Sequence, residues 1–128
     1  IQKLNFILSE SKKRFLAMEN ILKDKVYLRK IYKRSKPNYD TLIFKVDNYK
    51  KRKKIVKYLN NVGIGTKNLP DAIKWHFAFF WKHAIANDQI KNTLASKKIL
   101  EKFIAVPIFL KKSIKYYEKI SLDLLKLI

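Results

Sequence analysis

The sequence of 128 residues contains no cysteine, only two glycines and only three prolines. The lack of cysteine excludes disulfide bonds and thiolate zinc sites. So few glycines exclude a glycine-rich phosphate loop and a collagen-like or linker-rich chain. No apolar run approaches the roughly 20 residues that span a bilayer, so we expect no membrane span and a cytoplasmic location.

Acidic residues are also scarce, since ten Asp and Glu stand against thirty Lys and Arg, and the formal net charge is +20. Such a charge is typical of domains that bind nucleic acid or another anionic surface. Only four of the cations are arginine, the residue that most often contacts phosphate and guanine with two hydrogen bonds. A chain rich in lysine and isoleucine and poor in glycine and proline also fits compositional drift of the encoding genome.

What the chain does contain is enough apolar surface for a folded domain. Hydrophobic residues make up 48% and aromatic residues 13%, which excludes a disordered tail. The length corresponds to one domain with a possible helical extension. The sequence starts at Ile1 without Met and without a signal-peptide pattern, so we expect it to continue a longer gene product.

Hydrophobic periodicity predicts helices and short strands. Helices are predicted over 1–24, 49–61, 89–102 and 111–127. Strands are predicted over 26–32 and 41–46, paired antiparallel, with an extended or edge segment over 103–110. Asp47 is the predicted N-cap of the second helix, and Gly63 is predicted to end it. This order predicts an α+β fold, a two-layer small domain with a short, mainly antiparallel sheet packed against helices.

The aromatic stretch over 71–86, predicted as a helix or a compact loop with helical turns, carries the strongest chemical signal. One interpretation is a core helix in which Trp75 and its neighbours simply pack. The other is an aromatic wall with fixed hydrogen-bonding groups, which suits a polyhydroxylated ligand. The polar residues around this wall are Lys67, Asn68, Asp71, Lys74, His76 and His83. The two histidines are about 10 Å apart on a helix, too far for one metal ion, so we expect no metal site.

Three segments resemble a known family in their order and spacing. The first is Val46-Asp47 with a helix that ends in Leu-Asn-Asn-Val-Gly-Ile-Gly-Thr at 59–66. The second is Asn-Leu-Pro-Asp-Ala-Ile-Lys-Trp-His-Phe-Ala at 68–78, followed by Trp81 and His83, and the third is Ala-Val-Pro-Ile at 105–108 before a final helix. Together they resemble the C-terminal part of the DegT/DnrJ/StrS family of sugar aminotransferases.

The resemblance implies a fold type I enzyme that uses pyridoxal 5′-phosphate. Its substrate would be a nucleotide-linked keto-sugar or an eight-carbon keto-acid sugar, with glutamate as amino donor and a homodimer as the intact form. The Schiff-base lysine and the phosphate cup would belong to a large N-terminal domain that nothing here matches. The chain would then be a connecting helix over 1–24 and a C-terminal small domain over 25–128. It would hold no catalytic, cofactor-binding or metal residue and would be inactive alone.

The resemblance also implies which residues line the sugar end of the cleft. These substrate-binding residues are His76, Trp75, Asp71, Lys74, Lys67 and Asn68. His76 would hydrogen-bond a hydroxyl or a carboxylate, and Trp75 would pack under it. The role of His83 stays open between helix packing and the site.

Two alternatives remain from the residues themselves. The first is a stand-alone basic module that binds nucleic acid. The distribution of the aromatic residues argues against it, because they cluster in one segment instead of alternating with cations. From the usual roles of tyrosine in the core and at its rim, Tyr27, Tyr32 and Tyr39 are interpreted as structural. The second alternative is a small structural α+β protein without a ligand.

Overall fold

The periodic apolar residues of the sequence fold into helices that cover a small antiparallel sheet, which confirms the predicted α+β class. The computed structural model describes residues 2–67 and 78–128. The helices of these residues are α1 (Gln2–Leu22), α2 (Tyr49–Asn61), α3 (Asn87–Lys91), α4 (Leu94–Leu100) and α5 (Ile114–Leu127), with a 3-10 turn at Ala78–Phe80. The strands are β1 (Thr41–Lys45) and β2 (Phe103–Pro107).

The sheet joins two strands that are distant in sequence. β1 and β2 run antiparallel, with Thr41 opposite Pro107 and Lys45 opposite Phe103. Alternate side chains of both strands point into the core, as expected for a sheet with one covered face. The fully buried ones are Leu42, Phe44, Ile104 and Val106. The predicted extended segment 103–110 is therefore a strand in its first half, and it pairs with β1.

The segment predicted as a strand over 26–32 is much shorter in the structure. Its Leu28 forms a single antiparallel bridge with Phe44. The Arg29 amide donates to the Ile43 carbonyl, and the Lys45 amide donates to the Tyr27 carbonyl, both at 2.9 Å. The predicted direction of pairing is correct and the predicted length is wrong. After Arg29 the segment no longer pairs with β1. It enters a turn closed by Ser35, whose amide donates to the Tyr32 carbonyl.

The core lies between the inner face of the sheet and the three longest helices. Helix α1 packs along α5, and α2 packs against the same helix. Their buried apolar side chains are Phe15, Met18, Leu22, Ile55, Leu59, Tyr117, Ile120 and Leu124. Removal of this apolar surface from water is the main term that stabilises the domain.

Helix boundaries differ from prediction where polar side chains bind the backbone. The predicted helix 89–102 is divided into α3 and α4, because the Thr93 hydroxyl donates to the Ile90 carbonyl at 2.7 Å and closes a turn there. The last helix begins at Ile114 and not at Lys111, since the Ser113 hydroxyl accepts from the Tyr116 amide as its N-cap.

The N-cap of α2 is Asn48 and not the predicted Asp47. The Asn48 side-chain oxygen accepts from the Lys51 amide at 3.1 Å. The Asp47 carboxylate instead pairs with Lys45 at 2.9 Å and with Lys102 at 3.2 Å. Because these two lysines engage the Asp47 carboxylate, the N-cap of α2 lies one residue later than predicted.

Candidate functional site

The turn after α2 lies at the start of the segment that carries the strongest chemical signal. Gly63 and Gly65 adopt φ values of +72° and +65°, which favour glycine because they lie in the left-handed region. The Leu59 carbonyl accepts from the amides of Ile64 and Gly65. Ile64 itself is buried in the core. Gly63 ends the helix as predicted. The hydrogen bonds to the Leu59 carbonyl and the burial of Ile64 fix the turn that follows.

Two tyrosines hold this turn and α2 against the last helix. The Tyr116 hydroxyl donates to the Val62 carbonyl at 2.7 Å. The Tyr58 hydroxyl donates to the Asp123 carboxylate at 2.9 Å. Burial, together with the neighbouring Asp123 charge, raises the pKa of Tyr58 to about 12. The rim of the candidate site is therefore tied to the core by hydrogen bonds across α2 and α5.

Lys67 places the chain against the outer edge of β2. Its amide donates to the Ala105 carbonyl at 2.8 Å. Its ammonium group lies 2.8 Å from the Asp40 carboxylate. Burial acts to raise the pKa of Asp40, but hydrogen bonds from Lys67 and Thr41 outweigh it and hold the pKa below its usual value. The backbone of Asp40 also accepts from the Ile108 amide, so the end of β2 is fixed by the same residue.

Lys67 is the one predicted substrate residue that falls within the described part of the chain. The other five lie outside the described residues: Asn68, Asp71, Lys74, Trp75 and His76. The structure brings Lys67 next to β2 and thus joins two of the segments that carry the family resemblance. His83 is described, and its side chain is exposed beyond the 3-10 turn at Ala78–Phe80.

The described residues do not fit a pyridoxal phosphate site. A lysine that forms a Schiff base needs a desolvated position that lowers its pKa. Every lysine in ranges 2–67 and 78–128 is exposed or half-buried. Within the same ranges, no group of three His, Cys, Asp or Glu side chains is placed to hold a metal ion. We therefore assign no chemical step to a cofactor held by these residues.

A groove of about 500 Å³ is a feature that the sequence interpretation missed. We name it the tyrosine groove, and the residues that define it are Tyr27, Arg29, Lys30, Tyr32, Lys36 and Phe103. Tyr27 is 55% exposed and Tyr32 is 82% exposed, whereas Tyr39 packs its ring against Phe15 at 5.3 Å. Of the three tyrosines interpreted as structural, Tyr39 alone is packed against the core. The presence of two tyrosines close to four cations within residues 27–34 was the available signal.

A second groove follows the outer side of α2 and contains a buried arginine. Arg52 is 7% exposed, and its Nε donates to the Phe103 carbonyl at 3.4 Å. Its Nη2 atom has no hydrogen-bond partner among the described residues. The guanidinium is turned into the domain, so the solvent face of this groove is supplied by Lys53 and Lys57.

No model of a protein family matches the chain, and no curated protein matches it. Among the described residues, no helix is long and apolar enough to cross a membrane.

Proposed function

We propose that the chain is the C-terminal small domain of a pyridoxal-phosphate-dependent sugar aminotransferase. The intact enzyme would be a cytoplasmic homodimer that transfers an amino group to a keto-sugar, from a donor such as glutamate. The small domain would supply substrate contacts, and the cofactor would be held by a separate large domain. The resemblance of the three ordered segments to the DegT/DnrJ/StrS family is the basis of this proposal.

The observation that carries the proposal is the junction at Lys67. The fixed turn at 63–66 and the Lys67–Ala105 hydrogen bond join the first and third resembling segments along one sheet edge. The second resembling segment starts at the next residue, Asn68. An anchored start of this kind is what a substrate-contacting segment requires, because a binding group must be held close to its productive position.

The first turns of α1 support the existence of a further domain. Leu4 and Phe15 are eleven residues apart, as are Ile7 and Met18, a spacing of about three helical turns that places each pair on one face. Phe15 and Met18 are buried, whereas Leu4 is 55% and Ile7 is 43% exposed. The apolar stripe of α1 thus continues past the core that covers its second half. A large domain packed there would cover the exposed part.

The test compares two purified proteins, this chain and the product of the whole reading frame that encodes it. After addition of pyridoxal phosphate and dialysis, we expect the visible absorbance of bound cofactor only in the longer protein. In that protein, His76→Ala should raise KM for the keto-sugar and leave the cofactor absorbance unchanged.

Lys82→Ala is the matched control for His76→Ala, since Lys82 is exposed and is not among the predicted substrate residues. It should leave both KM and the absorbance unchanged. Absence of bound cofactor in both proteins would contradict the proposal. An equal rise in KM for both variants would contradict the role of His76.

A further inference from the structure

The tyrosine groove lies outside the segments that carry the aminotransferase proposal. It follows the connection between α1 and β1, and Phe103 of β2 is also among its lining residues. None of its defining residues belongs to the resembling segments at 46–66, 68–83 or 105–108. Any ligand of this groove is therefore a separate property of the chain.

The groove lies in a stretch of the chain whose positive charge is not compensated by acidic residues of the same stretch. Residues 25–39 contain no Asp or Glu. Their cations are Lys25, Arg29, Lys30, Lys33, Arg34 and Lys36. Within the described residues, each ion pair is formed by cations elsewhere in the chain. These six charges are all exposed and free to attract an anion.

The four arginines of the chain divide into two groups. Arg14 and Arg52 are buried, and their guanidinium groups donate to backbone carbonyls of the domain itself. Arg29 and Arg34 are exposed, and both belong to the segment that forms the groove. The exposed arginines, whose planar fork matches phosphate geometry, are thus found at this one place among the described residues.

The Tyr27 ring and the backbone of Tyr32 are held by contacts within the groove. Tyr27 packs edge-on against Phe103, with ring centroids 6.3 Å apart and an interplanar angle of 71°. The Tyr32 carbonyl accepts from the amide and the hydroxyl of Ser35, at 2.9 and 2.8 Å. The backbone under Tyr32 is therefore fixed in a turn, while its ring remains in solvent. Proteins that bind single-stranded nucleic acid use exposed aromatic rings beside cations that have no ion-pair partner.

We propose that the tyrosine groove binds a nucleotide unit, with the base stacked on Tyr32 and the phosphate held by Arg29 and Lys30. A neutral sugar would need acceptor groups that the cations of the groove do not offer. A polyanion without bases would need the charges but not the rings. A free nucleotide and a nucleotide within a single strand share this chemistry, and the experiment separates the two.

The experiment uses the full chain and fluorescence anisotropy of a labelled single-stranded oligo(U), with unlabelled uridine monophosphate and inorganic polyphosphate as competitors. Tyr32→Leu should weaken oligo(U) binding about tenfold, the usual loss when one stacking ring is removed. Tyr49→Leu is the aromatic control, because Tyr49 is also exposed and lies under Lys53 at 4.8 Å. It should change binding less than twofold.

A charge-matched pair of double variants separates a site from the general positive field. Arg29→Gln/Lys30→Gln and Lys50→Gln/Lys54→Gln remove the same charge, from the groove and from α2 respectively. The first should weaken binding at least tenfold more than the second. Circular dichroism of all variants should be unchanged, since each altered side chain is exposed.

The outcomes divide clearly. Competition by uridine monophosphate that is lost in Tyr32→Leu assigns the groove to free nucleotides as well as strands. Oligo(U) binding that is weakened in Tyr32→Leu but is not displaced by uridine monophosphate assigns it to strands. Equal weakening by both double variants, full competition by polyphosphate, or no effect of Tyr32→Leu would overturn the proposal. Such a result would leave the aminotransferase proposal unchanged, because that one is tested by cofactor absorbance.

Discussion

At the scale of single residues, Arg14 joins helix α1 to the loop between β2 and α5. Its guanidinium donates to the carbonyls of Leu110 and Lys112, at 3.0 and 2.7 Å, and to Glu10 one turn earlier on α1. The two carbonyls belong to the loop that leads from β2 into α5. One buried side chain thus fixes the entry to the last helix relative to the first.

Arg14→Met should therefore destabilise the domain although the new side chain keeps an apolar stem like that of arginine. The carbonyls of Leu110 and Lys112 lose their partner in a part-buried position, which costs about 2 kcal/mol of unfolding free energy. Urea denaturation followed by circular dichroism measures this loss. Lys13→Met is the control, because Lys13 binds the same Glu10 from an exposed position and should change little. Equal effects of the two variants would contradict the role given to Arg14.

From the raised pKa of Tyr58 we expect the free energy of unfolding to fall at alkaline pH. Burial and the hydrogen bond to Asp123 raise the Tyr58 pKa from the ordinary tyrosine value of 10.0 to about 12 in the folded chain. Between these values the unfolded chain loses a proton that the folded chain keeps. The contribution of the protonated hydroxyl to the free energy of unfolding is fully present below pH 10.0, and it is lost as pH rises through about 12.

The free energy of unfolding of the wild type relative to Tyr58→Phe should therefore fall over this interval. The difference between the two proteins removes the pH effects that they share. Urea denaturation at a series of pH values measures it. Tyr49→Phe, at an exposed ring, should show the wild-type profile. The same pH profile for wild type and Tyr58→Phe would contradict this prediction.

At the scale of elements, variants at the start of α2 can distinguish Asn48 from Asp47 as its N-cap. Asn48→Ala should cost about 1 kcal/mol, because its side chain satisfies the Lys51 amide at the open end of the helix. Asn48→Asp should restore most of the loss, since a carboxylate accepts the same hydrogen bond and suits the helix dipole. Thermal unfolding of these variants and of Asp47→Ala measures the difference. A larger loss in Asp47→Ala than in Asn48→Ala would favour the cap predicted from the sequence.

Local signals predicted the helices well and the sheet poorly. Helix α2 has the predicted range, because its apolar positions recur at helical spacing and Gly63 adopts the positive φ that ends it. The pairing of β1 with β2 joins residues more than fifty positions apart. No short-range pattern encodes such a pair, and the short turn at 35–38 favoured a local hairpin instead.

The candidate site shows the same limit. The glycine turn and the lysine at its end could be predicted, since their residue types determine the local conformation. The tyrosine groove could not be predicted by periodicity, because Tyr27 and Tyr32 would point to opposite faces of a regular strand. They line one groove because the chain leaves the strand conformation after Leu28. A departure from regular structure thus produced the binding surface.

At the scale of the whole molecule, a net charge of +20 opposes contact between chains, and the exposed stripe of α1 favours it. Charge repulsion acts over about 10 Å at 0.1 M salt and over about 3 Å at 1 M salt. Apolar contact is not weakened by this screening. The balance between the two forces therefore depends on ionic strength.

The chain should accordingly be monomeric at low salt and self-associate as salt is raised, in the absence of a domain that covers Leu4 and Ile7. Leu4→Gln/Ile7→Gln should shift sedimentation toward the monomer at high salt, because it removes the apolar stripe where it leaves the core. Leu94→Gln/Ile99→Gln is the matched control, since those side chains are also exposed but lie on α4. If both double variants associate like the wild type, the stripe is not the contact surface, and the support it gives to the proposed large domain is lost.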